Sequence, residues 1–272
     1  KKADQQFRAV MELLLTPGPV NEDFVIADTD AAARAGSPDA ALLAAAIAGA
    51  GYGRPRDWDA ALDWLAIAAA RGAESARAQL RLLAHADTAR SDWRALAKAI
   101  DVAAWSAARP SGLIEQEPRI GLADGFLEAP VCAWLIERAG PLQAPSLVYD
   151  AQTGRAVQHD VRTNTVSTFQ LAEMDLPILL VRERIANTLG VPVSHLESFA
   201  VFPYLAGSAV CVTCGLSEPD ARRRRHYSER PARAHFPHLP QRRFRRRRNP
   251  LHRYRSQDSG WRGRRTVFSQ CD

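Results

Sequence analysis

The stretch Glu197-Ser198-Phe199-Ala200-Val201-Phe202-Pro203-Tyr204-Leu205-Ala206-Gly207 divides the chain into two kinds of sequence. Phe199 and Val201 alternate with Ala200, Phe202 and Tyr204 at period two, which predicts a half-buried strand running into a glycine turn. Pro203 removes a ladder donor and places that strand at an edge or an end. Before Gly207 the residues have the apolar periodicity of a folded protein. Residues 208–272 instead hold 17 Arg, no Lys and 5 acidic residues, a segment charge of +12. The whole 272-residue chain is +6, so residues 1–207 carry −6.

A basic segment on an acidic body is the composition of a nucleic-acid-binding arm, because cationic side chains neutralise phosphates and release counterions. Tyr254, Trp261 and Phe244 could stack on bases in such an arm. Arms of that kind mix Lys with Arg, whereas the runs at 222–225 and 245–248 are Arg alone. Arg without Lys is what a GC-rich gene yields when GAC, GGC and GCC codons are read out of register as CGN. If one extra nucleotide entered near Gly207, residues 208–219 back-translate consistently to QQYASHVDYLNP. Residues 226–244 give IIASGQRAHTFLTYLNDDF, and residues 245–254 allow DGGETLFTAT.

Joined to Tyr204-Leu205-Ala206-Gly207, the recovered string resembles the iron- and 2-oxoglutarate-dependent oxygenases of the prolyl 4-hydroxylase type, whose core carries Tyr-x-x-Gly-x-x-Tyr-x-x-His-x-Asp. The resemblance begins upstream in the untouched frame, at Asp124-Gly125-Phe126-Leu127 and the helix after it. It continues through Arg162-Thr163-Asn164 and Arg182-Glu183-Arg184-Ile185. It implies an α+β domain built on a double-stranded β-helix, or jelly-roll, incomplete here. It also implies Fe(II), 2-oxoglutarate and ascorbate as cofactors, and a peptidyl proline or related residue as substrate. Arg162 matches an arginine at the mouth of the family's site that is implicated in substrate binding; a solvated strand arginine paired with Asp160 is the alternative. Tyr204 matches the tyrosine that hydrogen-bonds the 2-oxoglutarate carboxylate, and a core tyrosine is its alternative.

Iron of this type is held by two His and one carboxylate on one face, leaving positions open for co-substrate and oxygen. As translated, Thr213 and Gly215 stand where the family has its first His and its Asp, and the distal His would lie beyond Asp272. The expectation is therefore an oxygenase-derived chain with no catalytic residues and no metal ligands as translated, binding neither iron nor 2-oxoglutarate. Cys211, Cys214, His235 and His238 do not fit zinc-finger spacing. His159 and His195 have no partner at ligand spacing and read as ordinary surface or capping residues.

The N-terminal half is helical. Ala31-Ala32-Ala33-Arg34-Ala35-Gly36 recurs as Ala68-Ala69-Ala70-Arg71-Gly72, and Gly36 and Gly72 are 36 residues apart, in the range of helical-pair solenoids. Residues 51–57 break the helix, and Trp58, Leu62, Leu65 and Ala69 recur at helical spacing. The pattern resembles a Sel1-like repeat, a relative of the tetratricopeptide repeats. Small Ala residues let paired helices approach, and Trp64, Leu65, Leu80 and Leu83 fill between them. Such a unit is either a packing module or a protein-binding surface. Residues 92–105 predict one further amphipathic helix, with Trp93, Leu96, Ile100 and Trp105 closing the array.

The expected organisation is a Sel1-like helical region over 1–108, a linker over 109–120, the front of the oxygenase domain over 121–207, and an Arg-rich, disordered tail over 208–272. Within the third segment, Pro130 starts a helix with Val131, Trp134 and Leu135 on its apolar stripe. A short strand covers 146–149, a turn 150–154, an extended segment 160–166, and a second helix runs from about Met174 to Leu189, closed by Gly190 and Pro192. Lys1 at the start suggests a processed or fragmentary chain. No run of eighteen apolar residues and no signal peptide is visible. The four Cys suggest no disulfide framework, so the expected compartment is a reducing cytoplasm. Expected partners are a protein or peptide substrate and a protein bound by the helical pairs. The absence of Lys beside Arg and the motif in the other frame weigh against nucleic acid, and membrane has no support.

Overall fold

The structure, a computed structural model, describes residues 2–16, 18–87, 91–115, 120–150, 155–158 and 164–203. The expectations for residues 208–272 lie outside these. The chain divides into two compact units, Lys1–Arg138 with Thr168–Ala200, and Ala139–Ser167 with Val201–Asp272.

The first unit opens with five helices: α1 (Lys2–Leu15), α2 (Glu22–Arg34), α3 (Pro38–Ala50), α4 (Trp58–Ala70) and α5 (Glu74–Leu83). The starts of α2, α3 and α4 are written in the sequence. Asn21 Oδ1 accepts from Phe24 N–H at 3.1 Å, Ser37 Oγ from Ala40 N–H at 3.2 Å, and Asp57 Oδ1 from Ala60 N–H at 2.9 Å. Each such cap stabilises by about 1 kcal/mol. Helix α3 is apolar on every side and is buried along most of its length, which its many Ala residues allow because they add little bulk between neighbouring backbones. Val10, Val25, Leu43 and Ile47 form a core cluster on which Phe7 and Met11 pack.

The two turns singled out by the 36-residue step close in the same way. Gly36 and Gly72 take φ of +108° and +99°, a region that side chains disfavour. Gly36 N–H donates to Ala33 O and Ser37 N–H to Ala32 O; 36 residues on, Gly72 N–H donates to Ala69 O and Ala73 N–H to Ala68 O.

Residues 92–105 differ from the single helix expected. They form α6 (Trp93–Ala99) and α7 (Val102–Ser106), because Asp92 and Asp101 each cap a separate start, accepting from Ala95 N–H at 3.0 Å and Ala104 N–H at 2.9 Å. Ile100 between them is extended, with ψ 117°. The short-range capping of Asp101 outweighs continuation of the apolar stripe. The stretch read as a linker contains strand β1 (Gly112–Glu115), paired antiparallel with β2 (Ile120–Leu122).

Helix α8 (Ala129–Ala139) follows as expected and leads into a 3-10 turn at Gly140–Leu142. In the second unit β3 (Gln143–Pro145) pairs antiparallel with β6 (Thr165–Thr168), and β4 (Leu147–Asp150) with β5 (Arg155–Gln158) as a hairpin. The chain then returns to the first unit through α9 (Leu176–Leu189), whose end is set by Gly190 at φ +67°. Strand β7 covers only Ala200–Val201, shorter than the alternation from Phe199 suggested. Phe199 is buried, but Ala200, Val201, Phe202 and Pro203 are all half-buried, so two faces are not distinguished. Phe199 O accepts from Phe169 N–H at 2.9 Å, and the two rings meet edge to face at 5.7 Å.

The described residues are mostly helical, with short antiparallel strand pairs. None of their helices is long and apolar enough to cross a membrane.

Candidate functional site

Arg162, Tyr204, Thr213 and Gly215 lie outside the described residues, as do His159, Cys211, Cys214, His235, His238 and Cys271. The nearest described neighbour of Arg162 is Asn164, at the start of β6. Asn164 is buried; its Nδ2 donates to Ser146 Oγ and to Thr165 O, both at 3.0 Å, and its own carbonyl accepts from Ser146 N–H at 3.1 Å. The backbone two residues after Arg162 is thereby tied to the start of the β4–β5 hairpin. His195 is exposed at the end of a 3-10 turn, Val193–His195. Cys132 on α8 is unpaired and half-buried, and burial pushes its thiol up, which leaves it a weak nucleophile.

One buried polar cluster centres on Asp175, which is 4% exposed. Its Oδ1 caps α9 by accepting from Ile178 N–H at 2.9 Å. Its Oδ2 accepts from Trp134 Nε1 and Arg138 Nε of α8, each at 3.0 Å, and Arg138 Nη2 donates to Glu173 O at 2.9 Å. Burial pushes this carboxyl up, against the opposing pull of the Ile178 N–H, the Arg138 charge and the Trp134 indole. The cluster borders a cleft of about 250 Å³ that Phe7, Met11 and Leu43 line on its apolar side. Both carboxylate oxygens are taken up by donors within the fold, so the group ties α8 to α9 and is not poised as a base.

Arg184 of α9 makes the second buried knot. At 5% exposure it donates from Nε to Trp105 O at 2.8 Å, from Nη1 to Phe126 O at 3.1 Å and from Nη2 to Ala104 O at 3.3 Å. Its guanidinium lies 5.7 Å from the centre of the Trp105 ring. Burial lowers its pKa, helped by the Arg109 charge and opposed by Glu128. The three carbonyls belong to the end of α7 and to the Asp124-Gly125-Phe126-Leu127 stretch, so two of the segments quoted for the family resemblance meet at this residue. Sequence reading quoted Arg184 in a motif and missed its role, as it missed Asp175. The signal for Asp175 was present: an Asp before Leu176-Pro177 is a helix start.

Over 95 residues the chain is 35% identical to probable prolyl 4-hydroxylase 10 of Arabidopsis thaliana, a match covering 35% of this chain and 32% of that protein. It is 34% identical over 95 residues to probable prolyl 4-hydroxylase 3 of the same plant, covering 35% of this chain and 33% of the relative. The chain is a distant homologue of plant prolyl 4-hydroxylases. It spans about a third of the length of these curated relatives. No family model matches, and no solved structure matches significantly.

Prolyl 4-hydroxylase homology implies Fe(II) and 2-oxoglutarate as the cofactors of the family. Among the described residues no group of three or more His, Cys, Asp or Glu could hold a metal ion. The chemistry of the donor set at the expected ligand positions does not fit either. Thr213 offers a neutral hydroxyl and Gly215 no side chain, where one imidazole and the carboxylate would be needed.

Proposed function

We propose that this chain derives from an Fe(II)- and 2-oxoglutarate-dependent oxygenase of the prolyl 4-hydroxylase type, one that hydroxylates peptidyl proline or a related residue with ascorbate as reductant. As written it is inactive, because a slipped reading frame after Gly207 replaces the iron ligands. The observation that carries this reading is positional. Nine residues past Tyr204, where the family's pattern requires His-x-Asp, the chain has Thr213-Cys214-Gly215, and the neighbouring frame has His-Val-Asp. The 35% identity to a probable prolyl 4-hydroxylase supports the same family. In this reading residues 121–207 are the front of the oxygenase domain, 208–272 are the shifted text, and Tyr204 and Arg162 are what remains of the co-substrate and substrate contacts. The matching turns at Gly36 and Gly72 favour a Sel1-like repeat over 1–108, joined through 109–120.

The test compares this chain with a frame-restored chain, made by removing one base at the codon after Gly207 and reading the restored frame on past the position of Asp272 until the distal His is included. Anaerobic titration with Fe(II) and 2-oxoglutarate should show binding only by the restored chain, and that chain alone should consume 2-oxoglutarate in air. Tight iron binding by the present chain, or a stop codon in the other frame anywhere before the codons of residues 264–271, would overturn the proposal.

A further inference from the structure

The segment that leaves α7 runs along the second half of α9. Asn187 Nδ2 donates to Ser106 O at 2.7 Å. Arg109 N–H donates to Thr188 Oγ1 at 3.0 Å, and that hydroxyl donates to Arg184 O at 2.7 Å. These bonds set Arg109 near Arg184, and its charge adds to the burial that lowers the Arg184 pKa. Among the described residues neither arginine forms a salt bridge. Glu128, the acid whose charge acts on Arg184, is 56% exposed and lies 3.8 Å from His85 Nδ1. The fold treats the two cations differently. All three side-chain nitrogens of Arg184 donate to backbone carbonyls. The Arg109 guanidinium has no hydrogen-bond partner among the described residues, and its Nε is closed to water with its N–H unused. Buried donors are ordinarily matched in native structures, and a like-charged neighbour adds to the cost of this one. The end of α9 offers a favourable dipole to the Arg109 charge but supplies no acceptor to its donors. An acceptor that carries negative charge answers both needs.

We propose that Arg109 and Arg184 form a site for a small oxyanion, a carboxylate or phosphate group held by the planar fork of Arg109 within the field of Arg184. Among the Arg109 side-chain nitrogens only Nε is closed to water, so the Nη pair is the side of the fork that an ion meets. Two parallel N–H donors match two oxygens of either group. Arg184 has its donors engaged by carbonyls, so it contributes charge and a fixed position. The proposal goes beyond the oxygenase reading and does not rest on it, because the iron and 2-oxoglutarate positions of that reading begin at Tyr204.

Two measurements on the full chain test it, each with inorganic phosphate, acetate and chloride at matched ionic strength. The first follows the arginine Nε–H signals in a proton–nitrogen correlation spectrum, where the Arg109 signal is the one missing from Arg109→Gln. It should move saturably with phosphate or acetate, with a midpoint of about 1 mM or tighter, and not with chloride. Movement with one oxyanion alone supports the proposal and identifies the group the site takes. The second is thermal unfolding. Phosphate at about ten times the midpoint should raise the native chain by about 3 °C more than it raises Arg109→Gln. Both chains carry the same 17 Arg in residues 208–272, so the difference reports on Arg109. A signal that moves with neither oxyanion, a signal that follows chloride equally, or an equal thermal shift in both chains overturns the proposal. Arg109→Gln removes no side-chain hydrogen bond and should fold; if it does not, Arg109→Lys, which keeps the charge and loses the fork, takes its place in both measurements.

Discussion

At Asp175 one carboxylate caps a helix, takes an indole N–H and pairs with an arginine while almost wholly enclosed. Replacing it with Ala removes the cap and leaves Trp134 and Arg138 facing an apolar gap, which should cost about 3 kcal/mol in urea unfolding. Its pH dependence has a defined sign. The folded carboxyl lies above its ordinary value of 3.8, so between that value and the raised one the native state holds more protons than the unfolded chain. This group's contribution is therefore fully present below about pH 4 and is lost as pH rises through the folded value. Asp175→Asn should flatten that part of the stability profile. Arg184 is the other residue on which segments far apart in the chain converge. Arg184→Met should destabilise by about 3 kcal/mol, since the buried Trp105 and Phe126 carbonyls and the partly buried Ala104 carbonyl lose a charged donor. Arg184→Lys should recover only part of this, because an ammonium cannot serve three carbonyls with a planar fork. Chemical unfolding of the two variants side by side checks both.

Among the elements, α6 and α7 show capping deciding where a helix is cut. Asp101→Ala should cost about 1 kcal/mol and speed exchange at the Ala104 amide, with α6 unaffected, as hydrogen exchange would show. The helix ends legible in the sequence were those at a glycine stop, Gly51 after α3 and Gly190 after α9, whereas the caps Ser37 and Asp175 that start these helices were not singled out. The break at Ile100 was not legible, since Trp93, Leu96, Ile100 and Trp105 keep helical spacing across it. The strand ending at Pro203 was read too long for the same reason. Alternation from Phe199 to Tyr204 measures side-chain pattern, while pairing depends on a neighbouring strand and on the N–H that Pro203 lacks.

For the molecule as a whole, charge and core are separable. Deleting residues 208–272 takes the formal charge from +6 to −6. The truncated chain should move from cation- to anion-exchange retention while its thermal midpoint stays unchanged, because the described core residues lie between Val10 and Phe199. A fall in midpoint would show that the tail contributes to the fold. The sequence by itself determined where several helices end, the repeated glycine turn, the charge asymmetry and the resemblance to prolyl 4-hydroxylases. These are local or linear properties, set by capping, backbone conformation and order along the chain. Only the tertiary structure decided that Arg184 would gather Ala104, Trp105 and Phe126, that Asp175 would answer to Trp134 and Arg138, and that Arg109 would stand near Arg184. Such pairings depend on which surfaces remain to be buried once the helices exist, and no spacing within one segment records its partner in another.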